Sequence, residues 1–387
     1  MTITLSEIEL SLVRLDLVHS FETSSHRKTY LEHIVVRATA EDGTVGWGEC
    51  ASPSDPYYCG ESTWSCWQVL GRYLAPMLIG RPWNHPEEAA RHTAKVSDNH
   101  FARAGLDMAC WDLYGRRRGE PLADLLGATA TAVPAGVSLG IEPTVDALLA
   151  QVARHVEDGY RRVKLKIRPG WDVEPVRAVQ SAFPHVALQV DANTAYHPDR
   201  GDLPAALDGR GLLMVEQPYA PSDLLGHAAL AARFETPVCL DESVTTPDVL
   251  RTALALGAAD VVNVKVSRLG GLGPSLAVHD LCRDAGVPVW CGGMHEFGIG
   301  RAANLALAGL PGFTLPSDVS GSDKYYRQDV VAPAIRAVDG MVAVPRGGAG
   351  IGVEVDTARL ARHTRRTWTV RPAPARAAAP AVEDCRV

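Results

Sequence analysis

ALQVDANTAY (Ala187–Tyr196), GLLMVEQPYA (Gly211–Ala220) and TPVCLDESVT (Thr236–Thr245) share one pattern, a short apolar run that ends in an acid at Asp191, Glu216 and Asp241. Glu216 lies 25 residues after Asp191, and Asp241 a further 25. That interval holds one strand, one crossover helix and two short loops, the unit from which parallel sheets are built. The rhythm extends outward over eight apolar segments: Gly136–Leu139, Arg162–Ile167, Ala187–Val190, Leu212–Glu216, Val238–Leu240, Val261–Val266, Val287–Cys291 and Phe313–Leu315. Helical patterns such as Val145–Glu157, Pro175–Ala182, Pro247–Leu256 and Gly273–Ala285 fall between them. The chain is therefore expected to be an α/β protein with a (β/α)8-type barrel. The eighth helix is the least distinct, so a modified TIM barrel is the form expected. In such a barrel the active-site groups stand at the carboxyl ends of the strands.

A lone acid at a strand end more often caps the helix that follows. Three of them one unit apart place three carboxylates side by side on one rim. Such a cluster is electrostatically costly unless a cation neutralises it, and carboxylate oxygens with open positions suit a hard ion, Mg²⁺ first and Mn²⁺ or another divalent ion next. Lysines flank the acids. Lys164 and Lys166 in VKLKI are two residues apart and face one side of a strand, and Lys265 in VNVKV lies 24 residues past Asp241. Close ammonium groups depress one another's pKa, which leaves Lys166 partly neutral as a base, with Lys164 as its modulator. An amine on each side of an acid cluster can reach either face of a carbon acid, and a metal can stabilise the enolate that proton removal beside a carboxylate creates.

The remaining residues bound the problem. Hydrophobic residues make up 46% and charged residues 21%, ordinary for a globular protein, and a net charge of −7 supplies no electrostatic attraction to nucleic acid or an anionic membrane. A small-molecule carboxylate is the expected partner. No apolar run is long enough to span a bilayer, and the N-terminus lacks a signal-peptide pattern, so a cytoplasmic protein is expected. Eight scattered cysteines read as reduced thiols, with Cys239 and Cys291 packed in strands. Residues 1–130 form an α+β capping domain in this reading. Ile3–Val18, Leu31–Thr39 and Val45–Cys50 make an antiparallel meander, followed by helices over Ser65–Ala75, Glu87–Ala94 and Phe101–Arg118. Residues 131–370 form the barrel domain, whose last part is free to pack back on the cap, and 371–387, rich in Pro and Ala, form a disordered tail.

These residues resemble the enolase superfamily, in its muconate-lactonizing-enzyme-like branch with a K-x-K motif, and within it the o-succinylbenzoate synthase and N-acylamino acid racemase family. The resemblance spans TVGWGEC (Thr44–Cys50), KLKIRPGWDVEPVRAV (Lys164–Val179), QVDANTAY (Gln189–Tyr196), EQP (Glu216–Pro218), PVWCGGM (Pro288–Met294) and GRAANLALAGLPGFTLPSD (Gly300–Asp318). It implies that Asp191, Glu216 and Asp241 ligate the metal, that Lys166 is the base, and that Lys265 serves the opposite face. It implies a homo-oligomer. Asn193 and Glu242 match positions beside the ligands, although solvent-facing caps are an equal reading, and Arg268 matches an arginine of racemase-related members or serves as an ion-pair partner. Ser138 matches a substrate-contacting position. Loops Val18–Tyr30 and Ala51–Thr63 are expected to close over the barrel, with Phe21, Tyr57 and Tyr58 as pocket walls. In GGMHEFGIG (Gly292–Gly300) Glu296 follows the family pattern, while His295 and Phe297 depart from it beside Met294 and reshape the pocket. His295 is read as a packed or substrate-orienting imidazole. The implied activity is N-acylamino acid racemisation, N-succinylamino acids foremost, or the o-succinylbenzoate synthase dehydration. A dipeptide epimerase or cycloisomerase would use the same groups, but LPSDVSGSD (Leu315–Asp323) resembles the synthase and racemase group and has no D-x-D segment. A non-catalytic barrel would not require all three acids and both lysine strands.

Overall fold

The computed structural model describes residues 1–22 and 27–372, and side chains outside 20–27 within them. Its first sheet is antiparallel, formed by β1 (Leu5–Glu22), β2 (Arg27–Ala40) and β3 (Val45–Cys50), with Thr364–Val370 paired to the outer edge of β1. Alternation drives the pairing, because Ile8, Leu10, Ile34, Val36 and Ala38 turn one apolar face toward the helices behind. Helix α1 (His100–Arg118) fills that face and ends at Gly119, whose φ of 70° is the left-handed stop that glycine permits. The segment expected to stop before Pro76 does not. It runs from Thr63 to Leu78 through a widened π turn at Leu70–Leu74, which keeps the proline ring off the preceding carbonyls. The expected loop Val18–Tyr30 is mostly strand, since β1 continues to Glu22 and β2 begins at Arg27 after a register shift between Asp16 and Phe21.

Seven parallel strands follow in simple sequential order: β4 (Val137–Leu139), β5 (Arg162–Lys166), β6 (Ala187–Asp191), β7 (Val215–Glu216), β8 (Val238–Leu240), β9 (Val261–Val264) and β10 (Val289–Cys291). Helices α2 (Val145–Glu157), α3 (Val173–Ala182), α4 (Leu224–Ala231), α5 (Pro247–Leu256), α6 (Leu272–Ala285) and α7 (Gly298–Ala308) cross over between or after them. The eighth segment, expected as a strand over Phe313–Leu315, forms no ladder. Phe313 bridges Val289 and Ser317 bridges Ala135, so residues 313–318 bond to both edges of the sheet and fill the seam. Pro316 limits the segment, because a residue without a backbone donor follows Leu315 at once and the run cannot extend as a central strand. The architecture is a modified (β/α) barrel with an α+β cap.

Inside the barrel Met214, Cys239, Val261 and Trp290 make a separate apolar cluster. Each of the first three lies two residues before an inward polar group, Glu216, Asp241 and Asn263. Strand alternation therefore stacks an apolar plug beneath a polar layer at the carboxyl ends.

The cap also reaches into the barrel's helices. Gly271, at the start of α6, offers no side-chain cap, and Asp107 on α1 accepts the Leu272 amide at 2.7 Å instead. Burial pushes the Asp107 carboxyl up to about 7, against the pull of the Leu272 and Gly273 amides. A carboxyl whose pKa is raised on folding stabilises the protein at low pH and loses that contribution as pH rises through the folded value. Asp107→Asn keeps an acceptor and cannot titrate. Its thermal midpoint relative to wild type is expected to rise between pH 4 and pH 7, by the equivalent of on the order of 3 kcal/mol. A difference independent of pH would refute this.

Candidate active site

Register brings the predicted residues together. Lys166 on β5 stands opposite Asp191 on β6, which stands opposite Glu216 on β7, while Lys164 stands between Ser138 on β4 and Gln189 on β6. Asp241 and Lys265 follow the ends of β8 and β9. All three acids are at most 1% exposed.

Each acid is paired with a cation. Lys166 Nζ lies 2.6 Å from Asp191 Oδ2, and Lys265 Nζ lies 2.7 Å from Asp241 Oδ2. Arg268 also pairs with Asp241, and donates through Nε to the Val244 carbonyl at 2.9 Å. Lys164 sits among three carboxylates, 2.8 Å from Asp318, 3.0 Å from Glu216 and 3.3 Å from Asp191. Burial opposes its charge, yet Asp318, Glu216 and Asp191 hold its pKa well above the ordinary lysine value. The expected mutual depression of the two lysines fails for Lys164, because carboxylates rather than another ammonium surround it. Burial likewise opposes the charge of Asp241, but Lys265 and Arg268 outweigh it and hold the carboxyl below its usual range. Glu216 goes the other way. Burial and then the Asp191 charge push it up to about 8, although it accepts from Asn263 Nδ2 at 2.7 Å and Lys164 at 3.0 Å. With these cations in place, among the described residues no three acidic, histidine or cysteine side chains already converge as a metal cage.

The residues around this set divide. Asn193 accepts from Lys166 Nζ at 2.5 Å and donates to Glu242 Oε1 at 2.8 Å. Glu242 is buried with Oε2 unpartnered, and burial, Asp241 and Asp191 push its carboxyl up to about 7. Neither is a solvent-facing cap. Ser138 is buried on the face shared with Lys164, and its carbonyl accepts from Lys324 at 3.0 Å. Met294 packs against the cap core, and Glu296 Oε1 accepts the Met294 amide at 2.8 Å. The His295 ring stacks on Tyr325 with centroids 4.8 Å apart, and burial, then the charges of Lys28, Lys324 and Lys166, hold the imidazole well below the ordinary histidine pKa.

Tyr57 does not join them, being 67% exposed. Tyr58, the other tyrosine expected there, follows it in a turn and does reach the site. Tyr58 Oη accepts from Lys265 Nζ at 3.2 Å and donates to Asp241 Oδ1 at 3.3 Å. The Phe21 side chain lies outside the described residues. Sequence reasoning assigned no role to Gln189, Asn263 or Asp318. The first two were findable, since each lies two residues before an inward group, Asp191 or Lys265, and shares its strand face.

Fold and site together define an enzyme class. Residues 147–359 match the enolase C-terminal domain-like family, and residues 8–127 match the mandelate racemase / muconate lactonizing enzyme N-terminal domain. The chain belongs to this family of the enolase superfamily, whose enzymes generally use a divalent metal ion. It is 43% identical over 365 residues to an o-succinylbenzoate synthase of Geobacillus kaustophilus, covering 94% of this chain and 97% of the relative. It is 45% identical over 347 residues to an N-succinylamino acid racemase of Thermus thermophilus, covering 90% and 94%. A crystal structure of an enolase superfamily member from Listeria innocua matches with a TM-score of 0.91 at 34% identity, over 95% of this chain and 99% of that one. Among the described residues, no helix is long and apolar enough to cross a membrane.

Proposed function

We propose that this enzyme removes the proton α to a carboxylate, with Lys166 and Lys265 as the two proton-transfer groups, and acts as an N-succinylamino acid racemase and o-succinylbenzoate synthase. The observation that carries the reading is the arrangement of the two amines. Lys166 and Lys265 each bond a different acid, Asp191 and Asp241, on strands that flank the β7 acid Glu216. A carbon acid placed over that arc has an amine toward each face. Relatives bearing both activity names match nearly the whole chain at similar identity.

The donor set fits a hard divalent ion. Asp191, Glu216 and Asp241 offer only oxygen, and beside them Glu242 Oε2 is buried with no hydrogen-bond partner. We assign Mg²⁺ to Asp191, Glu216 and Asp241, with Mn²⁺ as the alternative; when bound it supplies charge to the substrate carboxylate oxygens. In racemisation Lys166 takes the proton from one face and Lys265 returns one to the other, the roles exchanging with the enantiomer. In dehydration one lysine moves the proton and the other stabilises the enolate as a cation. Lys164, pinned by Asp318, stays charged and does not act as a base beside Lys166. Residues 1–130 act as the cap and 131–370 as the barrel, in a homo-oligomer working in the cytoplasm.

The test is deuterium wash-in. In D₂O with Mg²⁺, N-succinylamino acids of either configuration are expected to gain α-deuterium, read by proton NMR. If neither exchange nor dehydration of the synthase substrate occurs, the proposal fails.

A further inference from the structure

We propose that Glu49 of the cap, supported by His33, is a positioning residue that sets substrate specificity by fixing the barrel loop 292–297. Helix α7 begins just after Phe297, its N-cap residue, whose side chain makes no capping hydrogen bond. Glu49, fully buried on β3, takes that role across the domain boundary, accepting the Phe297 amide at 2.8 Å with Oε1 and the Gly300 amide at 2.7 Å with Oε2. His33 on β2 bonds Glu49 Oε1 through Nδ1 at 2.7 Å, and its ring lies against the Phe297 ring with centroids 4.5 Å apart. Gly300 is required by this contact, since a Cβ there would stand 3.0 Å from Glu49 Oε2 and 2.9 Å from Glu296 Cγ.

The clasped loop faces the chemistry. It leaves β10 at Gly292, which lies over Asn263, the residue that donates to Glu216. It then carries Met294 to the cap core, and His295 to its stack on Tyr325, with the His295 carbonyl accepting from Tyr326. His295 holds a φ of 62°, a left-handed conformation that a histidine keeps only when its surroundings impose it. One side of that constraint is Tyr326. The other is the His33–Glu49 clasp two residues further on. None of these cap atoms touches Lys166, Lys265 or the three acids in any described hydrogen bond, so the clasp acts on the pocket wall and not on proton transfer.

The inference rests on the proposed racemase and synthase reading, and the experiment keeps the two apart. Glu49→Gln is isosteric, but one acceptor becomes a donor facing a backbone amide. KM for an N-succinylamino acid is expected to rise about tenfold, the worth of one buried hydrogen bond left unmade, with kcat within about threefold. Amide exchange read by mass spectrometry is expected to quicken across 292–300 and nowhere in α6. Asp107→Asn, which alters the equivalent contact at α6, is expected to leave KM unchanged. An unaltered KM in Glu49→Gln, or a fall in kcat at constant KM, overturns the inference. Should Glu49→Gln fail to fold, His33→Gln keeps the carboxylate and is expected to raise KM about threefold, again at constant kcat; no change there overturns it. Were the wild type to turn over neither substrate class, the functional reading would fall. Unchanged exchange over 292–300 in Glu49→Gln would then still reject the clasp, and quickened exchange would uphold its positioning half.

Discussion

Lys166→Ala is expected to lose α-proton exchange by about 10²–10⁴-fold, the usual contribution of a positioned acid–base group. The fold should survive the change. Asp191, which loses its partner at 2.6 Å, keeps Lys164 at 3.3 Å and the Asn193 amide at 3.0 Å, so no buried charge is stranded. The loss should also be sided. With Lys265 intact, the enantiomer whose proton faces Lys265 should still be deprotonated, and exchange without net racemisation should persist on that substrate alone. Lys265→Ala should give the mirror result, although Asp241 then relies on Arg268. Exchange within tenfold of wild type on both enantiomers would remove Lys166 from the mechanism.

Exhaustive chelation is expected to lower turnover at least about a hundredfold while leaving the protein folded, with activity restored by Mg²⁺. The two halves have one origin. Lys164, Lys166, Lys265 and Arg268 already pair with Asp191, Glu216 and Asp241, so the acids are held without the ion and no cluster of like charges drives the barrel apart. Those same cations cannot do what a divalent ion does for two developing negative charges on a substrate. Circular dichroism and a turnover assay on the same sample check both parts. Activity undiminished by chelation would leave the acids as mere partners of the lysines.

How much was legible in the sequence follows from which physical signals are periodic. Asp191, Glu216 and Asp241 end apolar runs at one fixed interval, and the barrel reproduces that interval in space. The flanking lysines were legible for the same reason. Tyr57 and Tyr58 were both legible as wall candidates, but an irregular loop carries no period to say which of the two turns inward. Asp318 was passed over because Pro316 breaks the eighth strand just before it, which removed the alternation that would have marked it as inward. The neighbourhood of Lys164 was misjudged through a long-range partner. Spacing along β5 shows a second lysine nearby but cannot show Asp318 arriving from the segment that fills the seam.

The pairing of Ile8 with Val370 has a bearing on how the molecule is made. The sheet of β1–β3 waits, one edge bare, until a strand that follows the whole barrel in the chain has been synthesised. Until then its backbone donors and acceptors on that side are open to other nascent chains, which is the situation chaperones exist to manage. Closing a contact between such distant parts is also entropically slow, so the final clasp of the two halves should be a late event in folding.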